Sequence, residues 1–312
     1  MTADCPTVTV VLPTYNDAAH LRRAIGSVVG QTTPAWELLV VDDASTDETE
    51  QVVATHDDPR IRYLRLPANT GVAVAQNAGI DEARGDLVVF LHSDDELFPA
   101  KLARQVELLQ RVPATVGAVQ SAIEIVWDDH TERWPPTLDG VGPGDVLAYR
   151  VQVHMSGLMV RRSVAASVRF DPHLRGAEDR DFCIRLLQTT TLAFDPELLS
   201  RVTKSPSRLG SQNKAPIYEY LFEKHRAEIE GDRRVHADWD FRIARAHARA
   251  GDLRAARASL TRSLQIFPRQ PLRWPLWLAS FGGDAVLRSA FRSYAAVSRA
   301  RHRARRVRRS RP

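Results

Sequence analysis

The chain has 312 residues, 44% hydrophobic and 26% charged, which is the composition of a folded protein and enough length for one large domain with an appendage or for two domains. Its net charge of +5 is unevenly spread: residues 285–312 hold ten arginines and no acid, which leaves about −5 for everything before them. Cys5 and Cys183 are too few for a structural zinc site and point to a reducing compartment, no basic leader precedes an apolar stretch, and no window holds the roughly 20 apolar residues of a membrane span, so a cytoplasmic protein is expected.

The first third alternates two periodicities. "TVTVVLP" (7–13) is a continuous β-branched run, as for a strand buried on both faces, and "AAHLRRAIGSVVGQ" repeats Leu21, Ile25, Val28 and Val29 at helical spacing behind Asn16-Asp17 as caps. "WELLVVDD" (36–43) is a second strand, and "STDETEQVVATH" a second helix with Ser45 and Asp47 as caps. "RIRYLRL" (60–66), "NTGVAVAQNAGIDEA" and "DLVVFL" (86–91) complete strand, helix and strand. Strands and helices alternating at these spacings predict parallel pairing with right-handed crossovers, hence a doubly wound α/β sheet whose ligands sit beyond the carboxyl ends of the strands. The polar clusters "PTYND", "DDASTDE" and "HSDDE" all fall at those ends.

Further on, "VGAVQSAIEIVW" (116–127) is a strand and residues 128–145 a long loop rich in Pro, Gly and Asp. "MSGLMVRRSV" is a strand entering a short helix; "GAEDRDFCIRLLQ" (176–188) is a helix with acids in its first turn, and "TLAFDPELLSRV" one or two strands. From about residue 214 the pattern is helical, and Gly251, Ala256, Leu260 and Pro268 stand at the offsets of the second helix of a tetratricopeptide repeat, a single hairpin. The expected organisation is a domain over 1–210, a helical extension over 211–284 and a basic tail over 285–312.

Each cluster has two readings. Asp94 and Asp95 either cap the helix at "FPAKLARQVELLQ" or hold a divalent ion with ligand phosphates. Asp42 and Asp43 precede the second helix's caps and can accept from a base N–H or a ribose hydroxyl, and Tyr15 suits stacking on a base. Glu178 and Asp179 are either helix-terminal acids paired with Arg180 or Arg185, or a site in which adjacent acids push one pKa up for general-base work. In the tail, Val286, Leu287, Ala290, Phe291 and Tyr294 share one helical face; such a basic amphipathic helix can lie on anionic lipid, bind nucleic acid without specificity, or be a solvated end. The histidines lack metal spacing, and neither GxGxxG nor GxxxxGK[ST] is present, which argues against dinucleotide oxidoreductases and P-loop NTPases.

The blocks "VTVVLPTYNDAAHLRRAIGSVVGQTTPAWELLVVDDASTDET", "GVAVAQNAGIDEARGDLVVFLHSDDELFPAKL" and "FDPHLRGAEDRDFCIRLL" resemble the family 2 glycosyltransferases, over about residues 7–205. The resemblance implies a GT-A type, mostly parallel, Rossmann-like α/β sheet followed by a helical extension. It also implies an inverting transferase that takes a nucleotide-sugar, commonly a UDP-sugar, with Mn²⁺ or Mg²⁺. Carried over by position, Pro13, Thr14, Tyr15 and Asn16 line the base and ribose pocket with Asp42 and Asp43; Asn77, Ser93 and Asp95 are grouped with them as donor-binding. Asp94 binds the metal and Asp179 is the base on the acceptor hydroxyl. Two positions depart from the family pattern: His92 stands where Asp is common, and Thr203 where many members carry a histidine near the diphosphate, with Lys204 beside it as a cation. The implied partners are a nucleotide-sugar donor and a glycan or lipid-linked acceptor at the inner membrane face, with the arginine tail as electrostatic anchor and no specific nucleic acid. A non-catalytic nucleotide-sugar-binding homologue acting as an assembly partner is the alternative. A nucleotidyltransferase is disfavoured, because "LPTYNDAAHLRR" lacks the usual glycines.

Overall fold

The computed structural model describes residues 7–134, 140–151, 154–204 and 213–294, apart from 284, 288 and 292. Residues 1–210 and 211–312 form two compact units. Cys5, part of the long loop at 135–139, the segment 205–211 after Lys204 and the arginine tail beyond Tyr294 lie outside the described residues.

In the first unit the apolar runs become β1 (Val8–Thr14), β2 (Trp36–Asp42), β3 (Ile61–Arg65) and β4 (Leu87–Phe90), crossed over by α1 (Ala18–Val29), α2 (Thr49–Ala54) and α3 (Val72–Glu82). β1, β2 and β4 are buried along their whole length, which is why their sequences do not alternate. Then follow β5 (Glu96–Leu97), α4 (Lys101–Arg111), β6 (Val116–Trp127), β7 (Thr131–Trp134), α5 (Pro143–Leu147), a 3-10 turn (Met155–Gly157), β8 (Leu158–Arg161), α6 (Arg162–Val168), α7 (Glu178–Thr189) and β9 (Thr191–Lys204). The strand order is β3-β2-β1-β4-β8-β6-β9-β5, with β7 on the side of β6. β3, β2, β1 and β4 run parallel, β8 is antiparallel to both β4 and β6, and β9 returns parallel to β6. The sheet is thus mostly parallel.

The core beneath it gathers Val10, Leu12 and Val40 with Leu21, Ile25 and Val28 of α1, and Leu102 and Leu109 of α4. α3 presses on the sheet through Gly79, where a Cβ would stand 2.2 Å from Val11 Cγ1. Residues 128–145 are not all loop, as the sequence suggested. Asp128 and Asp129 lie in the turn of a hairpin in which Trp127 N donates to His130 O, so that β7 pairs antiparallel with β6, and Pro143 opens α5.

The second unit contains α8 (Ala215–Lys224), α9 (Arg226–Glu230), α10 (Arg233–Ala250), α11 (Leu253–Ile266) and α12 (Trp274–Ala279). α10 is capped by Asp232, which accepts from Arg234 N and Val235 N, and ends at Gly251 with φ 86°, a left-handed position that glycine takes without strain. Asp252 then caps α11 through Ala255 N, closing the helical hairpin. Among the described residues no helix is long and apolar enough to cross a membrane. The apolar face foreseen for residues 285–294 packs into this unit: Leu287 is fully buried with Ala248 and Ala256, and Phe291 and Tyr294 lie against Phe241. Leu287, Phe291 and Tyr294 are therefore committed to this unit, while Val286 stays 48% exposed, which corrects the expectation of one continuous lipid-facing side. Periodicity alone cannot tell a bilayer from a neighbouring helix.

Candidate active site

The parallel register sets Thr14 beside Asp42, so β1 and β2 end together, while β4 ends at Phe90 beside Val11 and the polar residues that follow it run on along the end of β1. Pro13 and Thr14 are buried in β1, and the Thr14 hydroxyl has no partner among the described residues. Tyr15 is 48% exposed and offers its ring to solvent. Asn16 takes φ 49°, and its side-chain oxygen accepts from Thr46 N at 2.7 Å, while Ser45 Oγ accepts from Asn16 N. Ser45 is thus a brace between the β1 and β2 loops, not a helix cap. Asp47 is not the N-cap of α2, which is Glu48, but its carboxylate accepts from Thr49 N and, with its other oxygen, from Ala18 N at the start of α1.

Asp42 does not reach the cleft. It is wholly buried, and its oxygens accept from Tyr63 Oη (2.5 Å), Arg65 Nη1 (2.9 Å) and Ser45 N (2.9 Å). Burial, then the Asp42 bond, pushes the Tyr63 phenol up to about 12. Asp43 accepts from Thr70 N and Gly71 N at 2.8 and 2.7 Å, fixing the loop before α3, where Gly71 has φ 99°. Asn77 likewise faces inward: Nδ2 donates to Phe170 O (2.9 Å) and Oδ1 accepts from Phe170 N (2.8 Å). Both ends of its amide are occupied, so it braces the chain that leads to α7 instead of meeting a ligand. Buried side-chain amides are paired in this way because an unmet one is costly.

After β4, Asp95 N donates to His92 O, and the turn brings one ligand atom each from His92, Asp94 and Asp95 within 4.8 Å of one another. Neither acid caps α4: β5 intervenes, and Ala100 is that helix's N-cap. Asp95 is 2% exposed and accepts from Ser156 Oγ and Thr203 N, so it belongs with the ion cluster and not with the open cleft. Burial raises its pKa to about 6, against the pull of His92. Ser93 Oγ donates to Asp17 Oδ2 at 2.6 Å. Asp17 is the N-cap residue of α1, as expected, but its side chain makes no cap bond and ties the β1 loop to the acidic turn. One imidazole nitrogen with two carboxylates suits a hard divalent ion such as Mn²⁺ or Mg²⁺, and His92 Nε2, buried without a partner among the described residues, adds an unmet polar atom.

α7 opens the opposite wall. Ala177, at φ 57°, and Gly176 turn the chain so that Glu178 and Asp179 start the helix. Glu178 is buried, and its pKa is raised by burial first and then by the Asp179 charge, with His92 opposing. Asp179 is half-buried and accepts from Arg180 N. His154 had no sequence signal. It is buried with Nε2 unmet among the described residues, and burial, then Lys204 and His92, pushes it down to about 3, so it is a neutral imidazole. All five residues of "MSGLM" (155–159) are buried, and Ser156 supports the acidic turn from below.

A mostly parallel sheet with an exposed aromatic, paired carboxylates and an ion-competent turn at its carboxyl edge defines a protein of the GT-A glycosyltransferase class. Residues 9–167 match the family model described as Glycosyl transferase family 2, and the chain belongs to that family. It is similar to the "Putative teichuronic acid biosynthesis glycosyltransferase TuaG" of Bacillus subtilis, 39% identical over 33% of this chain and 42% of that protein. It is also similar to the "Succinoglycan biosynthesis protein ExoO" of Rhizobium meliloti, 44% identical over 36% of this chain and 32% of that one. The matched segment thus spans less than half the length of these two relatives. In fold it resembles S. aureus TarS 1–349, solved in complex with UDP-GlcNAc (TM-score 0.63, 18% identity, 93% of this chain and 91% of that chain). It also resembles the mannosyltransferase PcManGT of Pyrobaculum calidifontis, solved with GDP-Man and Mn²⁺ (TM-score 0.55, 22% identity, 92% and 86%).

Proposed function

We propose that the protein transfers a sugar, with inversion, from a nucleotide-sugar donor, a UDP-sugar first, to a hydroxyl of a glycan or lipid-linked acceptor. The observation that carries this reading is the gathering of His92, Asp94 and Asp95 ligand atoms within 4.8 Å of one another in the turn after β4, at the carboxyl edge of the sheet. The relatives' names, in teichuronic acid and succinoglycan biosynthesis, support a polysaccharide acceptor, and the UDP-GlcNAc complex of TarS supports the donor class.

In this reading Tyr15 stacks on the base, while Pro13, Thr14, Asn16 and Asp43 line the base and ribose pocket. Asp42 acts through Arg65, which it holds at the pocket's edge, and Ser93 acts through Asp17. His92, Asp94 and Asp95 would hold a divalent ion, whose charge would offset that of the departing diphosphate. Asp179 removes the proton from the acceptor hydroxyl; that oxygen bonds to the anomeric carbon from the face opposite the diphosphate. The bond from carbon to diphosphate oxygen breaks, and its electron pair leaves with the nucleotide. Lys204, at the end of β9 beside Thr203, is a second cation for the diphosphate. The chain works in the cytoplasm at the membrane's inner face, where the arginine tail supplies electrostatic attraction to anionic lipid.

UDP release from a panel of UDP-sugars with Mn²⁺ tests the proposal. Turnover should fall at least about 100-fold in Asp179→Asn while UDP affinity is kept. Tight UDP binding with no turnover of any donor would favour the non-catalytic homologue instead.

A further inference from the structure

The helical unit carries an apolar face that its own core does not use. Trp274, Leu278 and Phe281 follow at i, i+4 and i+7 and are 42%, 63% and 57% exposed. Val286, 48% exposed, extends this surface: a Cβ on Gly282 would stand 3.0 Å from its Cγ1, so it lies directly beside the end of the face. Trp277 joins the pieces, with its ring 6.0 Å from Trp274 and 5.0 Å from Phe281. Large exposed apolar side chains scattered singly need no explanation, but a contiguous patch of this kind marks a contact surface.

Two occupants are conceivable, and charge chooses between them. The face is followed in the chain by residues 285–312, with ten arginines and no acid. A second copy of the chain would bring a segment with ten further positive charges against one of the same sign and be repelled. An anionic lipid leaflet attracts that run, each basic residue adding roughly 1 kcal/mol near such a surface, and tryptophan and phenylalanine favour its interfacial zone. Beyond Val286, the apolar residues of 285–294 do not serve, because Leu287, Phe291 and Tyr294 are spent on the protein core.

We propose that Trp274, Leu278, Phe281 and Val286 form a membrane-docking face that inserts shallowly into an anionic leaflet while the following arginines supply the long-range attraction. The inference rests on the reading of a membrane-held acceptor and deepens it, since it places the contact on a named face and not on the tail alone. Two signals are required because one weak apolar insertion or one basic run alone gives only marginal binding.

The test uses the full chain with phosphatidylglycerol/phosphatidylcholine vesicles and with phosphatidylcholine vesicles alone. Wild type should pellet with the anionic vesicles and be released by salt. Leu278→Ser and the double variant Leu278→Ser/Phe281→Ser should partition about tenfold and more than tenfold more weakly, respectively. The variant Arg301→Gln/Arg303→Gln/Arg305→Gln/Arg306→Gln should bind weakly and lose most of the salt dependence. Brominated lipid should quench part of the tryptophan emission, and that part should vanish in Trp274→Phe. Equal pelleting of wild type and Leu278→Ser, equal binding to neutral vesicles, no binding to either kind, or a lipid-free dimer that the double variant lacks would each overturn the proposal. UDP calorimetry on the same samples separates the two readings. Absence of UDP binding by wild type would remove the transferase reading and leave the vesicle result standing, and a helical circular dichroism signal and thermal transition unchanged from wild type show that the variants are folded.

Discussion

Lys101→Met is expected to stabilise the protein at neutral pH and to do so less as the pH rises. Lys101 opens α4 and is completely buried; its ammonium donates to Gln105 Oε1 at 2.7 Å. The nearby Asp195 carboxylate favours the charged form but is itself held by Arg104 at 3.0 Å. Burial wins and pushes the lysine from 10.5 down to about 7. The folded base therefore binds a proton less readily than the unfolded one. Between about pH 7 and 10.5 the unfolded chain holds a proton that the native state lacks, so stability rises with pH, by about 1.4 kcal/mol per unit. Below that window both states are protonated and the full penalty of charge burial applies. At pH 7 the penalty is about 4 kcal/mol; methionine removes it but leaves Gln105 Oε1 unpaired, at a cost of about 1–3 kcal/mol. The net expectation is a gain of about 2 kcal/mol at pH 7 that reverses to a small loss near pH 10. Urea denaturation of both proteins from pH 6 to 10 measures it. Parallel stability curves, or a variant less stable than wild type at pH 7, would refute the reasoning.

Other expectations follow from the same contacts. Asn77→Ala strands a buried N–H and C=O of Phe170 and should cost about 2–4 kcal/mol in urea unfolding while UDP affinity stays within about twofold; a stable variant that has lost UDP binding would put this amide in the cleft after all. In Gly79→Ala the new methyl would stand 2.2 Å from Val11 Cγ1, so a loss of about 1–3 kcal/mol is expected, partly recovered by adding Val11→Ala; thermal denaturation of both variants checks it. Asp17→Ala removes the acceptor of the Ser93 hydroxyl and should weaken Mn²⁺-dependent UDP binding about tenfold with little change in UDP affinity in EDTA.

The parallel half of the sheet was legible because β1, β2 and β4 are buried on both faces and write themselves as unbroken apolar runs. β7 was missed because "TERW" is a half-exposed four-residue edge strand entered through Asp128-Asp129, without the glycine that announces most tight hairpins. At the site, the rule that ligands gather beyond strand ends located the carboxylates but not their commitments. Asp42 is claimed by Tyr63 and Arg65, Asp95 by Ser156 and Thr203, and Asn77 by Phe170, partners from 21 to 108 residues away in the chain. No local pattern encodes such pairings. Asp17 does stand at the N-cap of α1, as an acid just before a helix suggests, but its carboxylate makes no cap bond: Asp47 accepts from Ala18 N and Asp17 accepts from Ser93.

The central claim is that the turn His92–Asp95 holds a divalent ion against a nucleotide diphosphate. Calorimetric titration of UDP with and without Mn²⁺, in wild type and Asp94→Ala, tests it most directly. The account predicts UDP binding at least about tenfold tighter with Mn²⁺ in wild type and no metal effect in Asp94→Ala. Binding that is indifferent to Mn²⁺ in wild type, or equally metal-dependent in Asp94→Ala, would contradict it.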